Sequence, residues 1–111
     1  MSENLEKISA QMRKWILEYI ILMIINTGEV YSSDILKILK ENNLIVVEGT
    51  LYPLLSRLRK DSIITYYWVE SISGPPRKYF KLTKQGKELL VSMESIWNNL
   101  ESAVINIQKN K

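Results

Sequence analysis

The chain has 111 residues, which suits one domain with a modest core, and its apolar fraction of 46% and charged fraction of 24% are ordinary for a globular protein. It contains neither cysteine nor histidine, so disulfides and thiolate sites are excluded and the commonest general base and metal ligand are missing. The sequence also has no phosphate-cradling glycine loop and no clustered carboxylates. It therefore predicts a protein that is not an enzyme and that uses no cofactor or metal.

The N-terminal segment, MSENLEKISAQMRK, lacks the basic-then-apolar layout of a secretory signal peptide. The longest strongly apolar stretch, from Trp15 to Ile25, is interrupted by Glu18 and falls short of the ~20 residues that a membrane span needs. We therefore expect a cytoplasmic protein without a membrane partner.

Basic residues are concentrated in one part of the chain. The formal net charge is only +3, but the segment 57–87 holds eight lysines and arginines against two acids, a net +6 that leaves −3 for the rest. A localised positive surface favours an anionic partner such as nucleic acid, although a solvated lysine face would give the same count.

The first predicted helix runs from Gln11 to Thr27 and stops at Gly28. Ten of the eleven residues from Trp15 to Ile25 are apolar, so this helix is apolar on nearly all sides and must be enclosed. Either a second chain covers it, or it is the central core helix of a monomer.

Two shorter helices follow. The second is predicted from Ser33 to about Glu41, capped by Ser32 or Ser33. Its buried side is expected to consist of Ile35, Leu36, Ile38 and Leu39. The third runs from Glu48 to about Lys60.

A two-stranded hairpin is predicted next, because IITYYWVE alternates and is rich in β-branched and aromatic residues. Its strands are Ile63 to Glu70 and Arg77 to Leu82, joined by a turn of sequence SISGPP. We expect a stiff tip at Ser73–Pro76 with two cations directly behind it.

Thr83 is predicted to cap a last helix that carries two apolar stripes. One stripe repeats at spacings of four and three through Leu89, Met93, Ile96, Leu100, Ala103 and Ile107; the other is Leu90, Trp97 and Val104. Two neighbouring stripes favour contact with a partner helix, although a long intramolecular bundle helix would also explain them. The predicted homodimer contacts are Ile20, Leu89, Ile96, Leu100 and Val104.

The predicted fold is therefore mainly α with a β-hairpin (α+β), a winged helix-turn-helix with a long C-terminal dimerisation helix. Residues 1–82 would form the DNA-binding domain, whose first helix contributes to the dimer, and residues 83–111 the dimerisation helix.

The third helix has two different sides. At 100° per residue, Leu51, Leu54, Leu55 and Leu58 lie together, and Gly49, Pro53, Ser56 and Lys60 lie opposite, a small and polar surface suited to entering a DNA groove. Pro53 is expected within the first turn, where its missing N–H does no harm. The predicted DNA contacts are Thr50, Tyr52, Pro53, Ser56, Arg57 and Lys60 on the helix, with Gly74, Arg77 and Lys78 on the wing.

We expect Tyr52, Ser56 and Arg57, with Thr50, to read the sequence of double-stranded DNA, whereas Lys60 and the wing cations would hold phosphates. Tyr66, Trp68 and Tyr79 are interpreted as packing for the hairpin.

The stretches EGTLYPLLSRLRKDSII and GPPRKYFKLTKQGKELL resemble the PadR family of bacterial transcriptional regulators. Gly-Thr-Leu-Tyr-Pro with Leu-x-x-Leu, and Pro-Arg-Lys-Tyr-aromatic-basic-Leu-Thr-x-x-Gly, match that family's pattern, while Ser62 stands where the family commonly has glycine. The resemblance implies a homodimeric repressor on a palindromic operator, with the last helix packed against the partner's first helix. The single C-terminal helix is similar to the short subgroup that includes the multidrug-sensing repressor of lactic acid bacteria.

That subgroup resemblance also implies a ligand, a planar aromatic small molecule held between tryptophans at the dimer centre. Trp97 matches the position of the stacking tryptophan, with Trp15 and Met93 as further candidates. The alternative is that Trp97 is interface core. For the whole protein, the alternative function is a winged-helix protein-interaction module without sequence-specific DNA binding.

Overall fold

The structure is a computed structural model that describes residues 2–110. Its elements are α1 (Ser2–Asn26), β1 (Val30–Tyr31), α2 (Ser32–Glu41), α3 (Glu48–Lys60), β2 (Ile64–Ser71), β3 (Gly74–Leu82) and α4 (Lys84–Lys109). Four helices with a small antiparallel sheet confirm the predicted α+β winged helix. The predicted segments 1–82 and 83–111 also include Met1 and Lys111, which lie outside the described residues.

Helix α1 is nine residues longer at its start than predicted. Its second half supplies much of the core, where Ile21, Leu22 and Ile25 are almost fully buried. The added first half carries an apolar stripe at helical spacing that stays exposed in the single chain. This stripe is Leu5, Ile8, Met12 and Trp15.

The sheet has three strands and not the predicted two, in the order β1-β3-β2. Val30 pairs with Phe80 and Tyr31 with Tyr79. A strand of two residues is too short to show an alternating pattern, so β1 was not predicted from the sequence. It joins the wing directly to the start of α2.

The predicted position of the wing tip is wrong. The turn consists of Ile72 and Ser73, and Gly74 pairs with Ser71 as the first residue of β3. Both prolines of SISGPP lie within β3. They lie beyond the reach of β1, where β3 is an edge strand on that side and proline is tolerated.

The predicted cap of α2 at Ser32 or Ser33 is also wrong, because Ser32 is already the first helical residue. Tyr31 is the N-cap, and its N–H donates to Asp34 Oδ2 at 3.2 Å. The predicted buried side is confirmed in substance, since Ile35 and Leu39 are buried and the other two predicted residues are half-buried.

Helix α3 begins and ends where the sequence predicts, and it stops in a left-handed turn. Ser62 has φ 62°, the Ser62 N–H donates to the Arg59 carbonyl at 3.0 Å, and the Ile63 N–H donates to the Leu58 carbonyl at 2.9 Å. Only glycine adopts this φ without a steric cost from Cβ, which explains why glycine suits this position.

Replacing Ser62 with glycine should therefore stabilise the fold, by about 1 kcal/mol. Ser62→Ala, which keeps the Cβ, is the matched control and should give no gain. Urea unfolding followed by circular dichroism measures both free energies of unfolding. A glycine variant no more stable than the alanine variant would show that the turn is not strained.

The start of α4 packs on the Ile63 carbonyl. That oxygen accepts from the Thr83 N–H at 3.1 Å. Thr83 Oγ1 lies 2.6 Å from the Ser62 carbonyl oxygen and 3.0 Å from that of Ile63, and it accepts from the Gly86 N–H at 2.9 Å, which confirms the predicted cap. A Cβ added at Gly86 would lie 2.0 Å from the Ile63 oxygen. Gly86 is therefore required by the close approach of two backbones.

Gly86→Ala should destabilise the fold by about 3 kcal/mol, because α4 must move away from Ile63 and weaken the Thr83 bonds. Gly49→Ala is the control: no atom lies within 4 Å of its added Cβ, and helix propensity predicts a gain of about 0.5 kcal/mol. Equal urea midpoints for the two variants would contradict the packing assigned to Gly86.

Candidate nucleic-acid interface

Helix α3 presents the surface predicted for it. Leu51, Leu55 and Leu58 are buried and Leu54 is half-buried, so the helix is fixed to the core by its leucines. Thr50 and all residues of the opposite side are exposed: Gly49, Pro53, Ser56 and Lys60. A helix held this way leaves a small, polar surface free for a partner.

Pro53 does not lie in the first turn, as the sequence reasoning assumed. Helix α3 begins at Glu48 after the N-cap Val47, so Pro53 is its sixth residue. A residue there would normally donate to the Gly49 carbonyl, and proline cannot. Because Gly49 is exposed, its carbonyl can bond to solvent or to a partner.

Tyr52 links α3 to the start of α2. Its hydroxyl lies 3.2 Å from Ser32 Oγ, within hydrogen-bond distance. Both hydroxyls keep further bonding capacity because each group can donate one bond and accept others. Ser32 was not among the predicted contacts, since the sequence placed it as a helix cap.

Arg57, predicted as a base-reading residue, faces two carboxylates of its own chain. Its guanidinium lies 3.2 Å from Glu18 on α1 and 3.8 Å from Asp61 at the end of α3. These pairs are half-exposed and hold the side chain against α1. Among residues 2–110, they are the only ion pairs formed by a side chain of α3.

The two wing cations extend to opposite faces of β3, because neighbouring strand residues alternate. Arg77 donates to the Tyr31 hydroxyl at 2.9 Å and its guanidinium carbon lies 4.9 Å from the centre of that ring. Lys78 Nζ lies 4.0 Å from the ring centre of Tyr66, on the face that packs on the helices. Arg77 and Lys78 therefore lie on different surfaces of the wing.

The aromatic residues of the hairpin divide between packing and exposure. Tyr66 packs on buried Phe80, with ring centres 6.4 Å apart, and Tyr79 stacks on Tyr67 at 6.0 Å, in line with the packing role expected for Tyr66 and Tyr79. Trp68 differs from that expectation because it is 62% exposed.

Tyr67 keeps its proton at ordinary pH. A hydrogen bond to the Glu29 carboxylate raises the pKa of Tyr67 to about 12, with smaller effects from burial and from the charges of Glu29 and Tyr79. The Tyr67 side chain therefore carries no phenolate charge.

Arg59 is the cation that the sequence reasoning missed. Its guanidinium carbon lies 4.3 Å from the centre of the Tyr66 ring, the ring that Lys78 also approaches. Helical spacing could have found it, because Tyr52, Ser56 and Arg59 are four and three residues apart and share one side of α3.

The residues predicted for dimerisation and ligand binding lie on α1 and α4, which pack together. Trp15 is 79% exposed, and Trp97, Met93, Ile20 and Leu89 are half-buried. Ile96, Leu100 and Val104 are exposed along α4. The close aromatic ring pairs of residues 2–110 all lie in the sheet, so the structure does not bring the indoles of Trp15 and Trp97 together.

Within the part of the chain that the structure describes, none of the helices has the length and apolar character to cross a membrane. The same residues contain no carboxylate cluster that could hold a metal ion.

A three-helix unit that contains a helix-turn-helix and is followed by a β-hairpin defines a winged-helix protein. Here a long helix, α4, follows the hairpin. The sequence profile of the transcriptional regulator PadR-like family matches residues 21–92. The chain belongs to that family, whose members are transcriptional regulators and not enzymes.

Solved structures of PadR-like proteins share this architecture. A PadR-like transcription factor from Bacteroides fragilis is 50% identical, with 91% of this chain and 98% of that chain covered and a TM-score of 0.75. A PadR-like transcriptional regulator from Bacillus cereus is 38% identical, with coverage of 87% and 95% and a TM-score of 0.80.

Bacillus subtilis PadR has been solved in complex with operator DNA. It is 27% identical, with 70% of this chain but only 45% of that longer chain covered, and a TM-score of 0.64.

Proposed function

We propose that this PadR-like regulator binds double-stranded DNA through α3 and the wing, and that it acts as a homodimeric repressor on a palindromic operator. The observation that carries the proposal is the exposed outer side of α3, with Lys60 at its end and Arg59 and Lys78 beside it. The Bacillus subtilis PadR complex with operator DNA supports the same kind of partner.

The contacts proposed for the α3 surface divide by chemistry. Thr50, Tyr52 and Ser56 offer hydroxyls to base edges or phosphates, while Pro53 and Gly49 allow close approach to the duplex. Lys60 supplies a phosphate contact. Arg57 would reach DNA only by leaving Glu18, so a nearby phosphate must compete with that carboxylate.

On the wing, the tip residues Ile72 and Ser73 carry no charge, and Gly74 beside them leaves the backbone open. Arg77 and Lys78 lie further down β3. The wing is therefore proposed to contact phosphates along its side and to present the exposed Ile72 of its uncharged tip to the minor groove.

Lys60→Ala should weaken binding to every duplex and reduce the slope of log affinity against log salt by about 0.9, because one phosphate contact is lost. The control is Lys109→Ala, at the far end of α4. Fluorescence anisotropy with a duplex selected by the purified protein measures both slopes.

Binding that does not depend on salt, or a Lys60→Ala slope equal to that of the unsubstituted chain, would contradict the proposed interface. Binding without any salt dependence would favour the protein-interaction module instead.

The proposed dimer uses the apolar residues that one chain leaves uncovered. Residues 83–111 would form the dimerisation helix and residues 1–82 the DNA-binding domain, with α1 shared between the two roles. Ile96, Leu100 and Val104 are each more than half exposed along α4, and a stripe at the start of α1 is exposed as well. Covering such a surface with a second copy gives the hydrophobic stabilisation that the single chain lacks.

Leu100→Glu should shift the protein from dimer to monomer, because a carboxylate would be buried in an apolar interface. Glu101→Gln, on the next residue of the same helix, is the control and should leave the dimer intact. Analytical ultracentrifugation over a concentration series distinguishes the two. A dimer of unchanged dissociation constant in Leu100→Glu would place the interface elsewhere.

A planar aromatic molecule is proposed to enter between the chains beside Trp15, Trp97 and Met93, as in the multidrug-sensing subgroup. The support is the 79% exposure of the Trp15 indole and the half-exposed position of Trp97. If Trp97 is interface core instead, planar drugs will leave tryptophan fluorescence unchanged.

A further inference from the structure

A small cleft lies where α2, α3 and the wing meet. It has a volume of about 110 Å³, and Leu55 and Phe80 are the apolar residues of its lining. The other lining residues come from three different elements and are Ser32, Tyr52, Ser56, Arg59 and Lys78. Two basic residues and three residues with hydroxyls therefore line one small space.

The two cations of the cleft approach the same aromatic ring. The Arg59 guanidinium carbon and Lys78 Nζ lie 4.3 and 4.0 Å from the centre of the Tyr66 ring, so they are no more than about 8 Å apart. Contact with the ring orients both side chains. Like charges at such a separation repel, and an anion bonded to both would offset that repulsion.

No carboxylate of the described chain neutralises this pair. The ion pairs of residues 2–110 involve Arg57 alone, on the side of α3 that faces α1. The hydroxyls are already linked, with Ser32 Oγ and Tyr52 OH 3.2 Å apart. Each still has capacity to bond an oxygen in the cleft.

We propose that this cleft binds a single backbone phosphate of the DNA and that Arg59 and Lys78 both contact that phosphate. A phosphate oxygen accepts charge-assisted bonds of about 2.8 Å, so one phosphate can bond both cations and a hydroxyl at once. This inference rests on the proposed DNA-binding function and assigns to Arg59 a contact that clamps the wing and α3 onto one phosphate.

The shared phosphate makes a specific prediction for combined substitutions. Arg59→Gln and Lys78→Gln should each reduce the salt slope for duplex binding by up to about 0.9, and the double variant should lose no more than about 0.9 in total. By contrast, Arg59→Gln with Lys60→Gln should lose about twice as much, since Lys60 would contact another phosphate.

The experiment measures duplex affinity by fluorescence anisotropy between 50 and 200 mM salt for the unsubstituted chain and the five variants. Arg59→Lys is included because it keeps the charge without the planar group, and it should restore most of the slope. Circular dichroism melting confirms that each variant is folded.

The shared site is wrong if the double variant loses the sum of the slopes lost by Arg59→Gln and Lys78→Gln. It is also wrong if Arg59→Gln has the slope of the unsubstituted chain. Either result would leave the proposed DNA binding in place. If the unsubstituted chain shows no salt-dependent binding to duplex DNA, the proposed DNA-binding function is wrong, and the phosphate site with it.

Discussion

The arrangement of this protein depends on what surrounds one backbone carbonyl, that of Ile63. The residue lies between the end of α3 and the start of β2, and its oxygen accepts a bond from the Thr83 N–H directly after β3, with Thr83 Oγ1 3.0 Å away. Gly86 of α4 packs on the same atom so closely that no Cβ fits. Helix α3, the wing and helix α4 thus meet at one point, and a shift of any of them would break bonds that hold the other two.

This junction connects two surfaces with different chemistry. One is polar and positive, on α3 and the wing, and it is the surface proposed for DNA. The other is the uncovered apolar side of α1 and α4, proposed for the second copy. Because the same junction fixes α3 and α4 relative to each other, the geometry of a dimer would determine the spacing of its two recognition helices. Arg57, held by Glu18, provides another direct link from α3 to α1.

Much of this was predictable from local patterns, and the errors have physical causes. The extent of helix α3 was predicted closely because its leucines repeat at helical spacing, although Pro53 was expected in the first turn and is the sixth residue. The wing tip was misplaced because prolines usually mark turns, and here they occupy a strand edge that β1 does not reach. The roles of the arginines could not be predicted in the same way. Position on a helix indicates which side a residue occupies, but Glu18 is 39 residues from Arg57 in the chain, and the approach of Tyr66 to Arg59 needs the folded wing.

In the proposed complex, α3, the first residue of α2 and the wing face that carries Lys78 together contact the DNA. Amide chemical shifts of the nitrogen-15-labelled protein, followed while a selected duplex is added, test it most directly. We expect the largest changes to cluster around Ser32, Ser56, Arg59 and Lys78, with small changes along the exposed stripe of α4. Changes centred on that stripe, with the residues around the cleft unaffected, would contradict it.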